Sequence, residues 1–260
     1  MGHTRLGTLP ATRKWKQVID LIAEGASAAR IAEATIDAWR QAFAKVQDDG
    51  GFREAVWWMT QMGVAGGQQN PLGYLDSAGL DVSNCESGID FAVALSTAIE
   101  ERVSLYPKRS ALTELAQRAL LSVVTEHLHD RQQSFMPSAD DLKGAVRRLG
   151  KVKEFGEFSR KFFKQLTHEC LQFFLTQATP AQIGDSRRFR TATEVGQFGR
   201  ALETHCWEAS EIVEKFSGEW LSKNRYEGGG KIPRETAEKF GWYAMKKIQT
   251  ELEARARKDG

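Results

Sequence analysis

The chain has little of what usually marks a dedicated chemistry. Three cysteines stand in 260 residues, Cys85, Cys170 and Cys206. They are odd in number, widely spaced and form no CxxC, which argues against a disulfide framework and against a structural zinc site. The opening Met1-Gly2-His3-Thr4-Arg5-Leu6 has no apolar run of the signal-peptide kind, and Leu6 stands where a myristoylation motif needs Ser or Thr. No stretch approaches 18 uninterrupted apolar residues, so no transmembrane helix is expected. GxSxG, HExxH and the dinucleotide-binding glycine pattern are all missing. The expectation is a cytoplasmic protein with no membrane, no metal and no cofactor. Only 6 prolines occur, and the long stretches between turn signals favour helices.

What is present is ordinary globular material, 41% apolar and 27% charged. The net charge of +2 hides an asymmetry. Residues 1–140 carry 13 Lys+Arg against 17 Asp+Glu, and residues 141–260 carry 23 against 17. A basic half suits an anionic surface, but the excess is modest beside that of a dedicated nucleic-acid binder. The charge sign changes near Asp130–Pro137, which allows an acidic helical half (1–135) and a basic one (136–260). One continuous domain over 1–260 is the preferred reading.

The strongest pattern lies at about 154–177. Phe155, Phe158, Phe162, Phe163, Leu166, Cys170, Leu171, Phe173, Phe174 and Leu175 recur with a period near 3.6 over a wide arc. A helix apolar over more than one stripe must be wrapped, so this one is predicted to be central. Thr12 caps a first helix that Gly25 ends, and Ser27 starts a second that stops at Asp48-Asp49-Gly50-Gly51. A third carries Ala55 to Met62 and breaks at Gly66-Gly67. One helical turn is allowed at Leu72–Ala78. Further helices are predicted over about Gly88–Leu105, from Ser110 to Leu128, from Ser138 to Leu149, and over Glu194–Phe216. A turn is allowed at Gly218–Leu221, a flexible loop at Asn224–Lys231, and a last helix opens at Pro233. The fold class is all-α: an irregular bundle of about eight to nine helices around the aromatic-rich segment, with no fixed repeat.

Chemistry is thinly signalled. His205 and Glu208 lie i, i+3 on one helix, but the di-iron pattern needs Glu-x-x-His twice and further carboxylates. His127 and His129 diverge, as do His168 and Cys170, so any dyad would have to form between helices. Gly228-Gly229-Gly230-Lys231 lacks the spacing and the following Ser/Thr of a phosphate loop. No catalytic residue is assigned.

Two basic clusters and seven tryptophans remain. Lys143, Arg147, Arg148, Lys151, Lys153, Arg160, Lys161 and Lys164 fall within 22 residues, and Arg187-Arg188-Phe189-Arg190 precedes a helix start. Guanidinium groups beside helix N-terminal amides suit phosphate or carboxylate. Lys143, Arg147, Arg148, Lys151, Arg187, Arg188 and Arg190 are the candidate anion or nucleic-acid residues. Neither cluster has several interleaved aromatics for base stacking, and the helix-turn-helix likeness at Leu21–Ala34 is faint. Trp57, Trp58 and Trp220 are candidate partner contacts, since Trp is enriched at interface hot spots. The leading expectation is a non-catalytic cytoplasmic binding or scaffold subunit of a multi-protein assembly. The alternatives are a nucleic-acid-binding helical module using 143–164 and 187–190, and an enzyme with an inter-helix site around His168, His205 and Glu208.

Overall fold

A computed structural model of the chain describes residues 13–43, 49–106, 110–130, 138–184 and 187–256. Among these residues lie eleven α-helices: α1 (Arg13–Ala23), α2 (Ala28–Phe43), α3 (Gly50–Ala65), α4 (Pro71–Ser77), α5 (Gly88–Val103), α6 (Ala111–Asp130), α7 (Ala139–Arg148), α8 (Val152–Ala178), α9 (Ala192–Ala209), α10 (Glu211–Glu227) and α11 (Arg234–Ala256). A 3-10 turn, Thr179–Gln182, follows α8. The described residues contain no strand, only one bridge between Ile183 and Phe189. The fold is all-α, as the periodicity requires. The expected cap Thr12, Asp48, the connection 131–137, and the side chains of Ile36, Trp39, Phe43 and Phe174 lie outside what the structure describes.

The helix count exceeds the expected eight to nine for two local reasons. Asn70 accepts from the Gly73 amide and Pro71 starts α4, so a single expected turn becomes a helix. The helix expected over Glu194–Phe216 is divided at Ser210, whose hydroxyl donates back to the Trp207 carbonyl at 2.8 Å. Its second part, α10, then runs on to Glu227, well beyond the turn allowed at Gly218–Leu221.

Gly50-Gly51, read in sequence as part of the stop after the second helix, opens α3. Asp49 is the reason. Its carboxylate accepts from the Phe52 amide at 2.8 Å and from the hydroxyls of Ser110 at 2.5 Å and Thr113 at 3.0 Å. The start of α3 thereby lies on the start of α6, and a Cβ at Gly51 would sit 2.5 Å from the Thr113 Cα.

Phe155, Phe158, Phe162, Phe163, Leu166, Cys170, Leu171 and Leu175 are all buried. Helix α8 is wrapped by α10, α6, α9 and α2. It shares the centre with α3, of which every residue but Arg53 and Trp57 is buried. One apolar core joins Trp15 on α1 to Leu252 on α11. Glycines let backbones touch inside it. A Cβ at Gly218 would lie 2.0 Å from the Val152 carbonyl oxygen, one at Gly156 2.9 Å from that of Glu214, and one at Gly66 2.2 Å from the Gly150 amide. These close approaches seat α10 on α8 and the α7–α8 turn on the end of α3.

Candidate functional site

The basic run 143–164 divides into two parts with different surroundings. In the second part, each long cation reaches a different neighbour of α8. Arg160 pairs with Glu214 of α10 at 2.7 Å, Lys161 with Glu126 of α6 at 2.5 Å, and Lys164 with Glu203 of α9 at 2.5 Å. The Arg160 guanidinium also lies 3.8 Å from the Trp207 ring centroid and donates to the Trp207 carbonyl. These three bind α8 to its own bundle. Lys153 sits 3.7 Å from Glu157 one turn on.

Lys143, Arg147, Arg148 and Lys151 have no carboxylate within 4.0 Å among the described residues. They lie on α7 and the short turn into α8. That turn is part of a convergence of three. Arg147 donates to the Gln69 carbonyl at 3.0 Å, in the α3–α4 turn. Arg225, near the end of α10, donates to the Gly150 carbonyl at 3.3 Å. Gln68 donates to the Gly230 carbonyl at 3.0 Å, in the α10–α11 turn. So the turns 66–70, 149–151 and 228–233 are tied together at one end of the bundle. They add Arg225 and Lys231 to the cations without a carboxylate among the described residues. Between these two residues in sequence stands Tyr226, 88% exposed.

Gly228-Gly229-Gly230 does not cradle phosphate, for its amides are used within the turn. Gly229 donates to the Tyr226 carbonyl at 3.2 Å and Gly230 to that of Arg225 at 2.8 Å. With Gly229 at φ +60°, this is a Schellman cap that ends α10. It fixes Tyr226 one turn before the reversal.

Arg187, Arg188 and Arg190 belong to a different place. They follow the C-terminal end of α8, whereas Lys151 precedes its N-terminal end, and 27 residues of helix separate the two by about 40 Å. Phe189 is buried and anchors the loop beside Phe198. The Arg188 side chain packs on the α1–α2 turn, 3.6 Å from where a Gly25 Cβ would be. The α9 N-terminus is closed from within. Thr191 accepts from the Glu194 amide at 3.3 Å, and Glu194 takes the Arg190 amide at 2.7 Å. Arg187 and Arg190 are left exposed there.

Of the three tryptophans, Trp58 is buried and Trp220 stacks on Phe240 at 4.1 Å. Trp57 is half-buried beneath Arg234, whose guanidinium sits 4.6 Å from its ring. Arg234 also pairs with the fully buried Glu54, which Arg102 approaches at 3.7 Å.

Of the residues considered for an inter-helix site, His205 is buried on α9 and His168 half-buried on α8. Glu208 pairs with Arg255 at 2.8 Å. Burial pushes the Cys206 thiol up to about 12, and the Cys170 thiol is raised further by the same cause. Burial also lowers the His168 imidazole, against the pull of Glu203. His127 lies 3.2 Å from the Ala145 carbonyl and edge-on to Phe158. No group of three His, Cys, Asp or Glu suited to a metal occurs among the described residues. A cleft beside α5 gathers Asp81, Asp90 and Glu101, but Asp81 is tied to Ser83 and Asp90 to Ser87. Among the described residues no helix is long and apolar enough to cross a membrane.

No known family, curated protein or solved structure matches the chain. The three-turn end is only partly legible in the sequence. In sequence, Arg225, Tyr226 and Lys231 read as one flexible loop. Their only signal there is a tyrosine next to an arginine ahead of three glycines.

Proposed function

We propose that the chain is a non-catalytic binding protein, a scaffold or adaptor subunit of a larger cytoplasmic assembly, that meets an anionic surface through its three-turn end. The observation that supports this is the pairing pattern of its cations. Those on the flank of α8 are matched to carboxylates of the same bundle, while Arg147, Arg148, Lys151 and Lys231 at the end are not matched among the described residues. Unmatched like charges repel one another, so a set of them on rigid, mutually bonded turns is stabilised by an external counter-charge. Three free thiols suit a reducing compartment.

The test is retention on immobilised heparin, used as a generic polyanion. The wild-type chain should be held at low salt and released as salt rises. Arg147→Gln/Lys151→Gln/Lys231→Gln should elute much earlier than Lys215→Gln/Lys239→Gln, which removes exposed cations already paired within their own helices. Equal elution of the two variants overturns the proposal.

A further inference from the structure

Resting on that reading, we infer that the anionic partner at the three-turn end is a single-stranded nucleic acid, with Tyr226 as a stacking platform for one base. Cations alone would fit any polyanion. Tyr226 adds a second kind of interaction. At 88% exposed it is the most accessible large apolar side chain among the described residues, and in sequence it stands between Arg225 and Glu227, five residues before Lys231. Arg225 precedes it and reaches Gly150, the residue before Lys151. On the other side, the cap at Gly229-Gly230 leads to Lys231, and Gln68 holds that turn in place. An exposed aromatic ring on a turn whose backbone its neighbours hold in place, at the end of the bundle that carries Arg147, Lys151 and Lys231, matches how single strands are bound. Phosphates track the positive groups and an unstacked base lies on the ring.

The alternatives fit less well. A duplex keeps its bases stacked and offers no face to a tyrosine. Reading its grooves needs a helix that projects, and α7 is packed against α3, α4 and α6. An acidic protein surface would use the cations but gains most from an apolar centre rimmed by charge. Here Tyr226 and the half-exposed Val152 are the only exposed large apolar side chains that these turns and the helix ends beside them offer among the described residues.

Fluorescence anisotropy with labelled dT12, rU12, a 12-base-pair duplex and a poly-glutamate peptide, at 50 mM salt, separates these. The expected result is binding of dT12 or rU12 in preference to duplex and peptide. Tyr226→Ala should weaken it by about five- to a hundredfold, and Tyr226→Phe should leave it near wild type. Arg147→Gln/Lys151→Gln should lower the slope of log affinity against log salt by about 0.7 for each phosphate that the variant no longer neutralises. The ring is exposed, so neither Tyr226 variant should alter the melting temperature. Binding of duplex or peptide as tightly as the single strand, or indifference to Tyr226→Ala, overturns the inference while the polyanion-binding reading survives. Failure to bind any of the four probes, together with no retention on heparin, overturns both.

Discussion

Glu54 offers the sharpest test of the packing. Its side chain is fully buried on α3, and one oxygen faces Arg234, the Arg102 Nε at 3.7 Å and the Tyr106 hydroxyl at 3.5 Å. Its other oxygen is buried without a hydrogen-bond partner among the described residues. Arg234 is thus the main counter-ion of a desolvated carboxylate. Removing one partner of a buried ion pair costs about 3–5 kcal/mol, because the other charge stays buried. Arg234 is 34% exposed and Arg102 remains nearby, so Arg234→Ala should cost about 2–4 kcal/mol, including its packing on Trp57. For a chain of this size that lowers the melting temperature by about 4–16 °C. Glu54→Leu removes the buried charge and leaves two arginines that reach water, so its cost should be clearly smaller, near zero to about 1–2 kcal/mol. Thermal and urea unfolding followed by circular dichroism give both values. The reasoning fails if Glu54→Leu destabilises more than Arg234→Ala, since the carboxylate would then be a net source of stability.

Gly218→Ala forces a methyl group onto the Val152 carbonyl and should destabilise by at least about 1–3 kcal/mol, whereas Gly144→Ala, with open space around it, should not destabilise. Equal melting temperatures for the two variants would contradict the close seating of α10 on α8. Cys170 and Cys206 should resist a thiol reagent at pH 8 until urea unfolds the chain, because burial keeps both thiols protonated. Modification of either within seconds in the native protein would refute this. His168 has a folded pKa below its ordinary 6.5, so the unfolded chain takes up the proton first as pH falls. Stability should therefore decline below pH 6.5 and level off once the folded imidazole also titrates. His168→Gln should flatten the slope in that window, and a steeper slope in the variant would reverse the sign of the argument.

The aromatic helix is legible because its signal is redundant. Ten apolar residues at helical spacing outvote any single substitution, and the wrapping of α8 follows. Helix α3 is at least as central, yet its sequence disguises it. Glu54, Thr60 and Gln61 are buried there with little or no exposure, and Gly50 and Gly51 read as breakers when they are points of close approach. Burial of polar groups depends on partners far away in sequence. Gln61 donates to the Ile232 carbonyl and accepts from the Tyr74 hydroxyl, and no local pattern announces either. The basic run shows the same limit from the other side. Its eight cations look alike in sequence, and only the carboxylates of α6, α9 and α10 separate Arg160, Lys161 and Lys164 from Arg147 and Lys151. Tyr226 stands out only once Arg225 is seen to reach Gly150 across the bundle.

The central claim, that the end formed by the turns 66–70, 149–151 and 228–233 is the binding surface, is tested most directly by titrating the isotopically labelled chain with dT12 and with heparin and following backbone amide shifts. The account predicts that the largest shifts fall at residues 66–70, 147–153 and 224–231. Shifts confined to 187–190, or spread evenly over the paired cations of α8, would contradict it.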